Sequence, residues 1–391
     1  MDIQRRLFCF CLLFSPLINS KENTAHSCVQ VDNKSTDIYY EVNTVTDFNK
    51  HHIHSYYDLN PDNPSGKDLL CFRFSDQVPG VGDIIINREF DPKKALVIAK
   101  GISGTAHEAA LQQWLTDEII AYVDNNKENV TTEIVSSSAK HLMRITGGLR
   151  SANSRTMLGL FSSHELRRPK KKLKQEFLRV IDLKSGDIHL NIVLDDLLQE
   201  EALNKILKNV TGYKIKHPKW SPDGNHFFFV LFNNKSLEYG PRKILILSDR
   251  DGNNISYIGE NIHHPVWGRT GNNIYYFKGE GKEQTLYKYD ITLRYSVTVM
   301  KRMTGDHINV HPSGKLFVVD KVTRSKSRDG QILILNDAGE ILTRLSYKGD
   351  NISYRKRLHS HPIWSRDGCS VFANIIENGV RGVVKIDYNL A

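Results

Sequence analysis

Short apolar runs separated by turn residues dominate the second half of this chain. HFFFVLF (His226–Phe232), IYYF (Ile274–Phe277), LFVVD (Leu316–Asp320) and SVFANII (Ser370–Ile376) are four to seven residues long and rich in aromatic and β-branched side chains. Runs of that length and composition predict buried β-strands rather than helices. KILILSDRDGN, TLYKYDITLRYS and QILILNDAGEI each read as strand, turn and second strand, the outer hairpin of a larger unit. Before each apolar run stands a related motif: HPKWSPDG (His217–Gly224), HPVWGRTG (His264–Gly271), HINVHPSG (His307–Gly314) and HPIWSRDG (His361–Gly368). The turn glycines recur at intervals of 43 to 54 residues. A repeat of that period, built from strands and tight turns, predicts a β-propeller.

Weaker copies precede the strong ones. NPSGKDLLCFRF (Asn63–Phe74), QQWLTDEIIAYVD (Gln112–Asp124) and SANSRTMLGLF (Ser151–Phe161) bring the count to seven blades. The β-rich segment Ser35–Thr46 is expected to complete the last blade, so that both ends of the chain close the ring and leave no free sheet edge. One segment departs from the strand pattern. Leu190–Val210 spaces Leu194, Leu197, Leu198, Leu203, Ile206 and Leu207 roughly as a helix would, which predicts a short helical insertion in the third blade. The fold class is therefore all-β, a seven-bladed propeller with one helical insertion.

Composition adds two points. With 40 % hydrophobic and 25 % charged residues the chain is globular. The formal charge of +9, part of it in RRPKKKLK (Arg167–Lys174), suits acidic polymers. No basic stripe with interleaved aromatics and no nucleic-acid fold motif accompanies that charge, so acidic polysaccharide is favoured over nucleic acid as a partner.

The N-terminus reads as an export signal. MDIQRR is a basic start, LFCFCLLFSPLI an apolar core of 12 residues, and Asn19-Ser20 offers a small residue for cleavage. Residues 1–20 are thus expected to be a signal peptide and 21–391 a single propeller domain, secreted or periplasmic, with no stable membrane insertion. The cysteines that remain are Cys28, Cys71 and Cys369, enough for one disulfide at most. Cys71 and Cys369 fall in predicted inner strands and read as small buried hydrophobes.

The chemistry lies in the histidines. In a propeller, residues at one offset of different blades surround one axis, so His217, His264, His307 and His361 are expected to line a single funnel. His263 precedes His264, and His359 forms an H-x-H pair with His361. Residues i and i+2 of an extended segment share a side, so that pair can grip one ion. HHIHSYYD adds His52, His54 and Tyr57. GTAHEAALQQW adds His107, Glu108, Gln112 and Gln113, and the third copy adds Arg155. A single histidine before proline can serve the turn alone; four at one offset with two H-x-H pairs point to a site. Other chemistries lack their signatures, for there is no G-x-S-x-G, P-loop, H-E-x-x-H or C-x-x-C.

The motifs HPKWSPDG and HPIWSRDG resemble repeats of the Tol-system periplasmic propeller and its relatives, a broad likeness. A narrower resemblance, carried by HHPVWGRTGNNIYYF, DHINVHPSGKLFVVD and LHSHPIWSRDG, is to the oligogalacturonate lyases, seven-bladed propellers that cleave uronic-acid oligosaccharides. In that family a manganese ion is held by histidines of two adjacent blades and a glutamine. The resemblance implies His307, His359 and His361 as ligands of Mn2+ or another divalent cation, with His264 (or His263) as the base. His52, His54, Gln113 and His217 would then face the substrate. Arg155, Arg355 and Arg357 are candidates to clamp its carboxylates, and Tyr57 to protonate the leaving oxygen. One position departs from the pattern: Lys356 stands where the lyases have glutamine. The reading is a polysaccharide lyase-like enzyme; the alternative is a non-catalytic envelope or extracellular propeller that binds a protein or glycan.

Overall fold

The computed structural model describes residues 39–126, 129–163, 175–199, 203–205, 212–233, 243–279, 284–303, 305–322, 329–347 and 359–389. The expected signal peptide, the basic run Arg167–Lys174 and Arg355–Arg357 lie outside the described residues. Seven four-stranded antiparallel sheets follow one another along the chain. Their inner strands are His52–Ile53, Gln113–Trp114, Leu149–Asn153, Lys214–Trp220, Ile262–Trp267, Ile308–Val310 and Ile363–Trp364, numbered here as blades 1 to 7. Blade 7 is completed by Tyr39–Thr44, which pairs antiparallel with the last strand, Tyr40 opposite Tyr388 and Val42 opposite Ile386. Both chain ends therefore close the ring, as the sequence suggests.

The unbroken apolar runs follow from this packing. A blade lies between two neighbours, so both faces of its strands are covered. In the strand His226–Phe232, Phe227, Phe229 and Leu231 pack on Leu158, Leu160 and Trp220 toward blade 3. Phe228 and Val230 face the other way, onto Ile262, Ile274 and Tyr276 of blade 5. Alternate residues serve alternate interfaces, which is why no polar positions interrupt the run. Burying one such phenylalanine contributes about 1.5–3 kcal/mol. Two of the tryptophans staple interfaces: the Trp267 indole donates to the carbonyl of Lys219 at 3.1 Å, and that of Trp114 to the carbonyl of Pro61 at 2.9 Å. The turn glycine is demanded by conformation and space together. At Gly368 φ is +80° and an added Cβ would lie 2.5 Å from the His311 ring.

The expected short helical insertion is present in the third blade: Ile188–Val193 is the outer strand, the helical turn Leu194–Leu197 follows, and residues 203–205 are helical as well. Leu194, Leu197 and Leu203 bury against blades 3 and 4, so the apolar spacing marked the packing face. One expectation changes. Cys369 is not a buried strand residue. It sits in the turn before Ser370–Glu377 and is disulfide-bonded to a partner outside the described residues, whereas Cys71 is buried with a free thiol. The polar Asp367 turn that precedes Cys369 holds it at the surface. No described helix is long and apolar enough to cross a membrane.

Candidate functional site

Three histidines at the common offset share an unusual backbone. His217, His264 and His361 have φ of +49°, +47° and +46°, each directly before proline. A left-handed non-glycine residue costs about 1–2 kcal/mol. In blades 4 and 5 it coincides with a bulge, where the register slips between Lys216 and Lys219 and between His263 and Val266. A bulge re-aims a side chain out of the strand's alternation. His307, followed by isoleucine, reaches the same region without that conformation.

The rings converge. His307 lies 4.6 Å from His264, 4.6 Å from His361 and 4.8 Å from His359, centroid to centroid. His359 and His361 stack with an interplanar angle of 10°, as an i, i+2 pair should. His107, from the loop entering blade 2, joins them at 4.7 Å from His361 and 5.0 Å from His359. Ligand nitrogens of His107, His307 and His361 all lie within 4.8 Å of one another. The same holds for His307, His359 and a carboxylate oxygen of Asp320. Burial, followed by neighbouring positive groups, holds His217, His264, His307 and His361 well below the usual histidine pKa. These imidazoles are neutral at neutral pH, the form that ligates a cation or takes a proton.

Behind the histidines lies a buried ionic group. Lys219 donates to Asp58 at 2.8 Å, to the carbonyl of Pro265 at 2.8 Å and to the Tyr57 hydroxyl at 3.2 Å. Arg150 is 3.7 Å from the same Asp58 oxygen and 4.6 Å over the Tyr56 ring. Burial opposes ionisation of Asp58, but Lys219 and Arg150 hold its pKa below the ordinary value. Burial pulls Lys219 down to about 8, against the attraction of Asp58. Two cations thus face one carboxylate. Replacing Asp58 with asparagine would take from Lys219 its buried carboxylate and is expected to cost about 3–5 kcal/mol of stability. Chemical denaturation measures it, and the added substitution Lys219→Met should recover part of the loss. A D58N protein as stable as the parent would show the group to be energetically idle.

The other expected site residues divide. His217 meets the cluster through Tyr56, which lies parallel to its ring at 6.2 Å and edge-on to His361 at 4.8 Å. His263 neighbours His264 at 6.5 Å, but its Nδ1 is 2.8 Å from Lys243 Nζ. His54 is fully buried next to His361, its pKa lowered to about 4 by burial, so it backs the site without facing a ligand. Four of the expected residues lie outside the ring cluster or make other contacts. His52 is buried in its strand with Nδ1 on the Lys50 carbonyl and meets none of the clustered rings. Gln113 spends its amide on the backbone of Ala152 and Leu111, tying blade 2 to blade 3. Arg155 is exposed in a turn beside Ser221–Gly224, at the far end of the inner strands. Tyr57 is buried with its hydroxyl on Lys219 and its ring 4.7 Å from His307, which makes it a positioning residue and not a proton donor at the mouth.

Sequence reasoning placed Asp58 among the polar candidates of HHIHSYYD but gave Asp320, Lys219 and Arg150 no part in the site. Lys219 carried a signal. It occupies the slot that is Val266 in blade 5 and Ile363 in blade 7, and a lysine in an apolar slot needs a buried partner.

No family model matches the chain, and no curated protein matches it in sequence. Solved structures do match. An oligogalacturonate lyase from Vibrio parahaemolyticus superposes with a TM-score of 0.65 at 16 % identity, over 90 % of this chain and 97 % of that one. An oligogalacturonate lyase in complex with manganese gives 0.64 at 15 %, over 90 % and 96 %. The tricorn protease gives 0.53 at 10 % identity, over 83 % of this chain and 33 % of its own. Likeness at these identities speaks for architecture alone, and the chain has the propeller fold of the oligogalacturonate lyases.

Proposed function

We propose that the protein is a cation-dependent lyase-like enzyme that cleaves uronic-acid-containing oligosaccharides by β-elimination at the histidine recess. The observation that carries this reading is the convergence of His107, His264, His307, His359 and His361, from four blades, in one place. The donor set fits a divalent cation. Both ring nitrogens of His361 are buried and lack a hydrogen-bond partner among the described residues, and the imidazoles are held neutral. His307 is common to two groups of close ligand atoms, one with His107 and His361 and one with His359 and Asp320, and these histidines would hold the ion. When bound, it supplies positive charge to a uronate carboxylate whose negative charge grows as the adjacent proton leaves.

The chain's own groups supply the rest. His264, whose ring lies 4.6 Å from His307 and is held neutral by burial, is the residue suited to accept the C5 proton. The electron pair of that C–H bond forms the C4–C5 double bond, and the glycosidic oxygen on C4 departs with the C–O electron pair and takes a proton from solvent water. Lys219 and Tyr57 hold His307 from behind, so the recess is rigid before substrate arrives. An exported location is part of the proposal: the basic-then-apolar N-terminus and the disulfide at Cys369 both suit an oxidising compartment.

The test is direct. Purified protein is given galacturonate, alginate and glycosaminoglycan oligomers, and the ultraviolet absorbance of an unsaturated uronide is followed. We expect a signal with at least one, its loss on chelation and its return with Mn2+. Silence with every uronate would sink the catalytic reading, and glycan binding without cleavage would favour a binding propeller.

A further inference from the structure

The resemblance leaves the oxygen ligand of the cation unexplained, because Lys356 replaces the lyases' glutamine. The structure offers a different carboxylate. Asp320 lies within the apolar strand Leu316–Val322 of blade 6 and is fully buried. Oδ1 accepts the backbone N–H of His307 at 2.8 Å, which ties the carboxylate to the histidine loop, and lies 3.3 Å from His307 Nδ1. Oδ2 lies 3.2 Å from His307 Nδ1 and 3.4 Å from the backbone nitrogen of His361, a long contact.

We infer that Asp320 is the oxygen ligand of the cation site, binding through Oδ2 beside His307 and His359. Two ligand atoms on a first-row divalent cation, each about 2.1 Å from it, lie about 3.0–3.4 Å apart at tetrahedral to octahedral angles. The 3.2 Å between Asp320 Oδ2 and His307 Nδ1 has that length, and a nitrogen of His359 falls in the same group. Charge points the same way. Among the described residues no lysine or arginine pairs with Asp320, and a buried carboxylate needs compensation by a cation or a proton. A carboxylate in place of a neutral amide also gives the ion a formal charge to neutralise, which histidines alone do not.

The inference rests on the proposed cation site but not on the lyase chemistry, and its test reads binding and stability. Mn2+ is titrated calorimetrically into the full chain and into Asp320→Asn, with thermal melts of both proteins in chelator. The amide keeps the volume and the acceptor for His307 N–H. Affinity is expected to fall at least about 10-fold while the metal-free melt stays level or rises. Unchanged affinity would overturn the assignment. So would a parallel loss of affinity and metal-free stability, which marks a structural role. A parent protein that binds no Mn2+ would overturn it together with the cation-dependent part of the proposed function. Asp320-dependent binding in a protein that leaves every uronate intact would keep the ligand and remove the lyase.

Discussion

Replacing His264 with asparagine is expected to slow the proposed β-elimination by about 10²- to 10⁴-fold, the usual contribution of a positioned general base. Asparagine is the informative choice because the residue must sit at a φ of +47°, a conformation that asparagine tolerates better than most side chains. The bulge should survive, and thermal melting of the variant should match the parent. The corresponding change at His263, whose Nδ1 faces Lys243, is expected to alter the rate by only a few-fold. A second readout comes from pH. The His264 pKa lies well below 6.5 because of burial and then the nearby His307, so the neutral base predominates at and above that pH. The rate should therefore hold on the neutral side and fall on acidification. A His264→Asn protein with the parent's rate would move the base elsewhere.

Acidification should also unfold the protein early. His52, His54, His217, His264, His307 and His361 all have native pKa values below 6.5, at about 4 for the first two. Between those native values and 6.5 the unfolded chain binds protons that the native state refuses. Stability then rises with pH up to about 6.5 and is lost as pH falls through that window. Each histidine contributes a slope approaching about 1.4 kcal/mol per pH unit, so together they approach about 8. Asp62 and Asp320, whose pKa values burial raises, work in the opposite sense, but as two groups against these six. Denaturant unfolding at about pH 7 and pH 5.5 measures the difference. His54→Gln should flatten the slope by about one histidine's share. A pH-independent midpoint would mean that the histidines are not buried neutral.

The architecture was legible because a propeller writes its period into the chain. Each blade needs two covered faces, hence uninterrupted apolar runs, and a left-handed turn, hence Gly224, Gly271, Gly314 and Gly368. The equal offset of the histidines translated into nearness because equivalent blade positions meet at the axis. What that offset could not convey was direction. His217 obeys the same local rules as His264 and His361, including the left-handed backbone, yet its ring ends against Tyr56. Gln113 and Arg155 failed for a related reason: a residue's distance along an inner strand decides whether it serves the histidine end, an interface or the far turn. Asp320 and Arg150 were hidden among apolar strand residues, where a lone charge gives no hint of its partner until the ring is closed.

That closure has a consequence in time. Tyr57 and His54 come from blade 1, His307 from blade 6 and His361 from blade 7, so the recess joins residues from opposite ends of the chain. They become neighbours only when Tyr39–Thr44 docks on the final strand. Contacts so distant in sequence are the slowest to form. During refolding, cation binding should therefore lag behind the burial of tryptophan, and the site would serve as a clock for the last stitch of the ring.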